Sequence, residues 1–185
     1  MAKVIGITGF QGSGKGVFKN FLKDLTGFPT FSLSDILREE LRSQGFEITR
    51  KMLIKLGNKL RAEHGGGVLA ERIVQNNNPP FIIDAINNPA EVQVLRKVFG
   101  NDFTLINLRA SAKTRFERIK RRNRECDLKD WDGFVKLTKI HKGEGQGSSG
   151  QLINLCEELA DLVIRNDASL DALKSKVEAL VIFLQ

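Results

Sequence analysis

The stretch Val4-Ile-Gly-Ile-Thr8 runs directly into Gly9-Phe-Gln-Gly-Ser-Gly-Lys-Gly-Val17, and the junction between them decides the fold. The first segment is a short apolar run closed by glycine, which reads as a buried strand. The second opens a helical pattern over Lys15–Leu25. Its glycines let the backbone curl so that successive N–H groups point inward, and the helix N-terminus adds partial positive charge. Lys15 then stands within reach of a nucleotide's terminal phosphates. A tight turn alone would also use the glycines. This one, however, sits at the first strand-to-helix junction, where doubly wound α/β sheets hold their ligands. The expected phosphate contacts are Gly9, Gln11, Gly12, Ser13, Gly14, Lys15, Gly16 and Val17.

Outward from that junction, apolar runs and helical periods alternate as βαβ units require. Strands are expected at 3–8, 30–33, 81–84, 103–108 and 162–164. Helices are expected at 15–25, 35–44, 50–63, 68–75, 89–99, 112–122, 130–139, 151–160 and from 170 to the end. Ser34, Thr49, Ser111 and Ser169 stand where N-caps belong. In the last helix Leu170, Leu173, Val177, Leu180 and Leu184 recur at three- and four-residue steps and read as core. The expectation is a single α/β domain over 1–185, a doubly wound, mainly parallel sheet of about five strands with helices on both faces. Residues 34–75 carry more helix than a crossover needs, which reads as a helical insertion. The stretch Gly143-Glu-Gly-Gln-Gly-Ser-Ser-Gly150 has no apolar anchor and reads as a mobile connection, either a lid tip or a slack surface loop.

With 185 residues the chain is long enough to bury a core without staples. Two cysteines, Cys126 and Cys156, cannot build a disulfide framework and read as reduced thiols. No apolar run approaches a membrane span, and the chain enters its first strand too soon for a signal peptide. The expectation is a cytoplasmic protein, monomeric or homodimeric, with no membrane contact. A net charge of +7, from 29 basic against 22 acidic residues, implies anionic partners. Much of the excess lies in Arg109, Lys113, Arg115, Arg118, Lys120, Arg121, Arg122 and Arg124. A nucleic-acid surface and a site that neutralises a triphosphate would both use such a cluster.

Phosphoryl transfer needs a cradle, a metal-handling carboxylate, cations on the developing charge and a pocket for the acceptor. Asp84 ends the third strand and is placed either to order water around Mg²⁺ or to cap the next turn. Asp35 and Arg38 lie three apart on one helix face, where they form a surface pair or share a ligand; a guanidinium there can hold a phosphate bidentately. Arg118 and Arg122 share a face as two polyphosphate clamps or as solvated charge. Arg61 is within reach of an acceptor. His64, beside three glycines, reads as a helix end.

Together these segments resemble the nucleoside monophosphate kinase branch of the P-loop kinases. Gly9…Gly14-Lys15-Gly16 is similar to the adenylate kinase cradle. Ser32-Leu-Ser-Asp35-Ile-Leu-Arg38 resembles that family's Ser-Thr-Gly-Asp-Met-Leu-Arg, whose arginine grips the monophosphate. Phe81-Ile-Ile-Asp84 resembles the strand ending in its Asp-Gly-Phe-Pro-Arg, and Glu117 to Arg122 its arginine helix leading into a lid, here about 121–150. Asp84-Ala-Ile-Asn-Asn-Pro-Ala-Glu91, Ser111 to Arg118 and Ala160 to Asn166 are similar, more specifically, to archaeal-type predicted nucleotide kinases related to dephospho-CoA kinase. The resemblance implies ATP- and Mg²⁺-dependent phosphorylation of a nucleoside or deoxynucleoside monophosphate. Lys15, Arg118, Arg122 and Asp84 would be catalytic, with Asp35, Arg38, Arg61 and Asn87 at the acceptor and Asp84 and Asp35 reaching the metal through water. Dephospho-CoA kinase is the alternative within enzymes. A catalytically weak ATP-binding module associated with nucleic acid is the alternative from another class.

Three departures bear on that reading. No hydroxyl follows Lys15, because Gly16 and Val17 stand there. Asn87 and Asn88 occupy the turn where the relatives carry an arginine, a guanidinium–phosphate bond of about 1.5–3 kcal/mol. Between Glu125 and Ile164 no arginine occurs, leaving Lys136, Lys139 and Lys142 to supply the lid's charge.

Overall fold

The computed structural model describes residues 3–122 and 130–184. Five parallel strands form one sheet: β1 (Val4–Thr8), β2 (Thr30–Ser32), β3 (Phe81–Asp84), β4 (Phe103–Arg109) and β5 (Leu162–Arg165), in the order β2-β3-β1-β4-β5. The helices are α1 (Lys15–Thr26), α2 (Leu33–Ser43), α3 (Arg50–His64), α4 (Val68–Asn76), α5 (Pro89–Phe99), α6 (Ala112–Arg122), α7 (Trp131–His141), α8 (Ile153–Glu158) and α9 (Leu170–Leu184). Parallel pairing demands that every strand return by a crossover, so all five strand C-termini lie at one edge. Strand order reverses around β1, which opens the ligand crevice there.

Each strand of the sheet's centre is buried on both faces, hence the unbroken apolar runs. One face carries Val4, Phe81 and Ile83 and packs against Leu33 and Leu37 of α2, Leu60 of α3, Leu69 and Ile73 of α4 and Leu95 of α5. The other carries Ile5, Ile7, Ile82 and Ile106 and packs against Phe18 and Leu22 of α1 and Leu173 and Val177 of α9. Helices α2 to α4, read from sequence as an insertion, thus share the core of the sheet's first face.

Three expectations change. Helix α2 begins at Leu33, with Ser32 rather than Ser34 at the N-cap; Leu33 is fully buried, so the helix starts as soon as β2 ends. Ser34 Oγ instead accepts from Arg38 Nη1 at 2.7 Å. Leu170 is exposed, because it heads α9 at the crevice mouth rather than over the sheet. The glycine–serine loop is fastened: the Asn88 side-chain amide donates to the Ser148 and Gly150 carbonyls, both at 2.9 Å, and Asn58 Nδ2 donates to Gln146 Oε1 at 2.5 Å. Thr49, Ser111 and Ser169 cap their helices as expected, accepting from Met52, Thr114 and Ala172. Cys156 is a buried free thiol in the first core, where burial pushes its pKa up. Cys126 and Arg124 lie outside the described residues, as does the 123–129 part of the expected lid.

Candidate active site

The cradle follows from two glycines in the left-handed region. Gly12 has φ 82° and Gly14 φ 99°, conformations an L side chain adopts only with strain. Space forbids one as well. A Cβ on Gly12 would come within 2.5 Å of the Arg115 carbonyl, and one on Gly14 would collide with the Asn166 side-chain amide. The same amide donates to the Ser13 carbonyl at 2.8 Å, and Arg118 Nη1 donates to the Asn166 carbonyl at 2.8 Å. The loop is therefore shaped from below by α6 and by the exit of β5. Arg115 completes the floor: it is buried, stacks over the Phe10 and Phe134 rings at 5.1 Å each, and burial lowers its pKa.

Above the cradle lies a crevice of about 1040 Å³, at the top of the range for small-molecule sites. Of the expected site residues it is lined by Gly9, Gln11, Gly12, Gly14, Lys15, Gly16 and Val17, by Asp35, Arg38 and Arg61, by Asp84 and Asn87, and by Arg118 and Arg122. Ser13 is not on that lining. It is 1% exposed, its Oγ has no hydrogen-bond partner among the described residues, and it serves the loop through its backbone.

Lys15 Nζ donates to the Gly9 and Phe10 carbonyls. Its pKa falls to about 8, chiefly through burial, opposed by Asp84 and reinforced by Arg50, Arg122 and Arg115. Asp84 is 8% exposed. One carboxylate oxygen pairs with Lys19 Nζ at 3.0 Å; the other is buried with no partner among the described residues. Lys19 stands one turn after Lys15 on α1 and also lines the crevice. Arg38 is held by Asp35 at 2.7 Å and by Ser34.

Two expected acceptor residues are drawn into the frame. Arg61 is 4% exposed and donates through Nε and Nη2 to Glu91 Oε1, at 3.0 and 2.8 Å. Glu91 Oε2 accepts from the backbone N–H groups of Asn87 and Asn88, at 2.8 and 3.0 Å. The Asn88 side chain caps α5 in a capping box with Glu91, and the Asn87 carbonyl accepts from the Leu152 N–H at 2.7 Å. The turn that lacks an arginine is thus a junction of three chain segments.

The basic stretch after β4 divides. Arg115, Arg118 and Arg122 serve the cradle and crevice, Arg109 pairs with Glu157 at 3.6 Å, and Lys113, Lys120 and Arg121 face outward. The sequence reading missed Lys19, Arg50, His141 and Asn166, all of which line the crevice. Asn166 carried a signal, since it ends the Ala160–Asn166 motif. The expected lid lysines 136, 139 and 142 are exposed and are not on the crevice lining.

Among the described residues no group of three His, Cys, Asp or Glu side chains could hold a metal by itself. A cation would therefore rest on phosphates, water and the unpartnered Asp84 oxygen, which is the donor set that Mg²⁺ accepts. No helix among the described residues is long and apolar enough to cross a membrane.

Comparison with known proteins agrees with this geometry. A family model described as an AAA domain matches residues 8–134. The UPF0200 protein of Hyperthermus butylicus is 32% identical over 182 residues, covering 96% of this chain and 92% of its own. That of Pyrococcus furiosus is 33% identical over 183 residues, covering 95% and 94%. Among solved structures, shikimate kinase from Acinetobacter baumannii in complex with shikimate aligns with TM-score 0.62 and 15% identity over 100% of this chain and 93% of that one. A gluconokinase from Sinorhizobium meliloti aligns at 0.60 and 15% identity, covering 99% and 93%. At such identities the likeness is one of fold. The five-stranded parallel sheet, the glycine cradle and these matches together make the chain a member of the UPF0200 family, carrying an AAA domain in a P-loop kinase-like fold.

Proposed function

We propose that the protein transfers the terminal phosphoryl group of ATP to a small phosphate-bearing acceptor, a nucleoside or deoxynucleoside monophosphate. The observation that carries the reading is the gathering of Lys15, Asp84, Arg38, Arg118 and Arg122 on the lining of one crevice, with the Asp84 charge acting on Lys15. Phosphoryl transfer has a loose, charge-rich transition state, so positioning and cations supply most of the catalysis. The cradle N–H groups and Lys15 hold the β- and γ-phosphates. Arg118 and Arg122 neutralise charge on the transferring group. Arg38, braced by Asp35 and Ser34, orients the acceptor. Asp84, through the carboxylate oxygen that Lys19 leaves open, would hold the water shell of a Mg²⁺ ion, which would supply charge neutralisation to the phosphates.

A phosphoryl-transfer assay with ATP–Mg²⁺, a panel of ribo- and deoxynucleoside monophosphates and dephospho-CoA tests this. Acceptor-dependent ADP release that drops on the order of 100-fold or more in Lys15→Ala supports it. Transfer to dephospho-CoA alone would move the assignment to the larger acceptor. ADP release indifferent to every acceptor would make the protein an ATPase, the reading that the arginine-free turn at Asn87–Asn88 favours.

A further inference from the structure

The lid's share of the crevice is small and unusual. Lys136, Lys139 and Lys142 are exposed, Lys139 facing Glu144 at 3.9 Å. From α7 the crevice receives His141, the helix's last residue, only 4% exposed. Among the described residues the charges that bear on it are Arg50 at the start of α3, Lys15 of the cradle and Arg115 of α6, all cations. Burial first, then those three in that order, lower its pKa to about 3, so the ring is neutral at pH 7.

A neutral imidazole carries one donor and one acceptor nitrogen, and the crevice that the ring lines gives a ligand access to them. An anion in the recess changes each term. Phosphate oxygens supply acceptors for the ring, and their charge outweighs that of the neighbouring cations. A permanently charged arginine at this place would repel Lys15, Arg50 and Arg115 whenever no anion lay among them. A histidine avoids that repulsion and still becomes a cation once the anion arrives.

We propose that His141 is the lid's ligand for the transferable phosphate, meeting it as a neutral ring and taking a proton from solvent as the phosphates fill the recess. The proposal rests on the phosphoryl-transfer reading and deepens it by placing the lid's charge in one residue. Nucleotide binding is then linked to proton uptake, and affinity rises as pH falls.

The chain has only two histidines, and the other, His64, is exposed. Uniformly isotope-labelled full-length protein followed by NMR therefore reads the ring and the cradle amides together, with His141→Gln assigning the ring signals. The probes are ATP and inorganic tripolyphosphate, titrated from pH 8 to about 5. Without a probe the His141 ring should stay neutral throughout; with either probe it should protonate within the range. Between pH 7.5 and 6, wild-type affinity for ATP should gain about fourfold over His141→Gln, the gain a bound-state value near the ordinary 6.5 gives. If ATP shifts the backbone amides of Gly12 and Gly14 while the His141 ring stays neutral to pH 5, the proposal falls and the phosphate site stands. If neither probe shifts those amides or releases heat on mixing, the phosphate-site reading itself falls, and the proposal with it.

Discussion

Replacing Arg61 with methionine separates a frame residue from a ligand-binding one. Arg61 and Glu91 have side chains 2% and 0% exposed and share two hydrogen bonds. Removing one partner of a buried pair leaves an uncompensated charge, which costs about 3–5 kcal/mol. Glu91 keeps the two backbone N–H groups of Asn87 and Asn88, so the lower end, about 3 kcal/mol, is expected. With a urea slope of about 2 kcal/mol/M, the unfolding midpoint should fall by about 1.5 M. Far-UV circular dichroism is the suitable monitor, because the only tryptophan, Trp131, is nearly half exposed. The Arg61→Met/Glu91→Gln double variant should lose less than the sum of the singles, by at least about 1 kcal/mol. A midpoint shift below about 0.5 M, joined to a tenfold rise in acceptor KM, would refute the argument and return Arg61 to the acceptor.

Three further outcomes are expected. Lys19→Met removes the cation on Asp84, so the Kd for ATP measured in EDTA should rise about tenfold, and less with Mg²⁺ present; an unchanged ratio would show that the pair at 3.0 Å is irrelevant to the nucleotide. Asn88→Ala deletes an N-cap worth about 1 kcal/mol and strips two carbonyls of their donor, a total of about 2–3 kcal/mol in urea unfolding, and a loss below 0.5 kcal/mol would mean that the loop is not held there. His141 is depressed to about 3 in the folded state against 6.5 unfolded. The unfolded state thus binds the extra proton between those values, and stability should fall on acidification below 6.5, by about 2 kcal/mol at pH 5. His141→Gln should flatten that slope in equilibrium unfolding at pH 7 and 5; parallel slopes would contradict it.

How much was legible in the sequence follows from the range of the forces involved. Strand β3 and helices α5 and α6 lie where periodicity and punctuation place them, because apolar runs, prolines and caps act within a few residues. Helix α2 began early because burial of Leu33 outweighed the better cap at Ser34. Lys15, Asp84, Arg38 and Arg118 were visible through motifs at strand ends, and the crevice gathers them. The pairing of Arg61 with Glu91 spans 30 residues, and the clasp from Asn88 to Ser148 spans 60; local patterns carry no trace of either. Asn88-Pro89-Ala90-Glu91 could have been read as a capping box with proline at the first helical position. His141 was invisible because the apolar period of α7, Trp131, Phe134, Leu137 and Ile140, accounts for its inward face without a histidine.

The turn at Asn87–Glu91 has a mechanical consequence. Through Glu91 it grips α3, which lines the crevice; through Asn88 and Asn87 it grips residues 148–152, which lead from α7 to α8. Neither segment can move without loading the same rivet. Residues 50–64 and 148–152 therefore belong to one cooperative unit, so that a change at either margin is felt at the other.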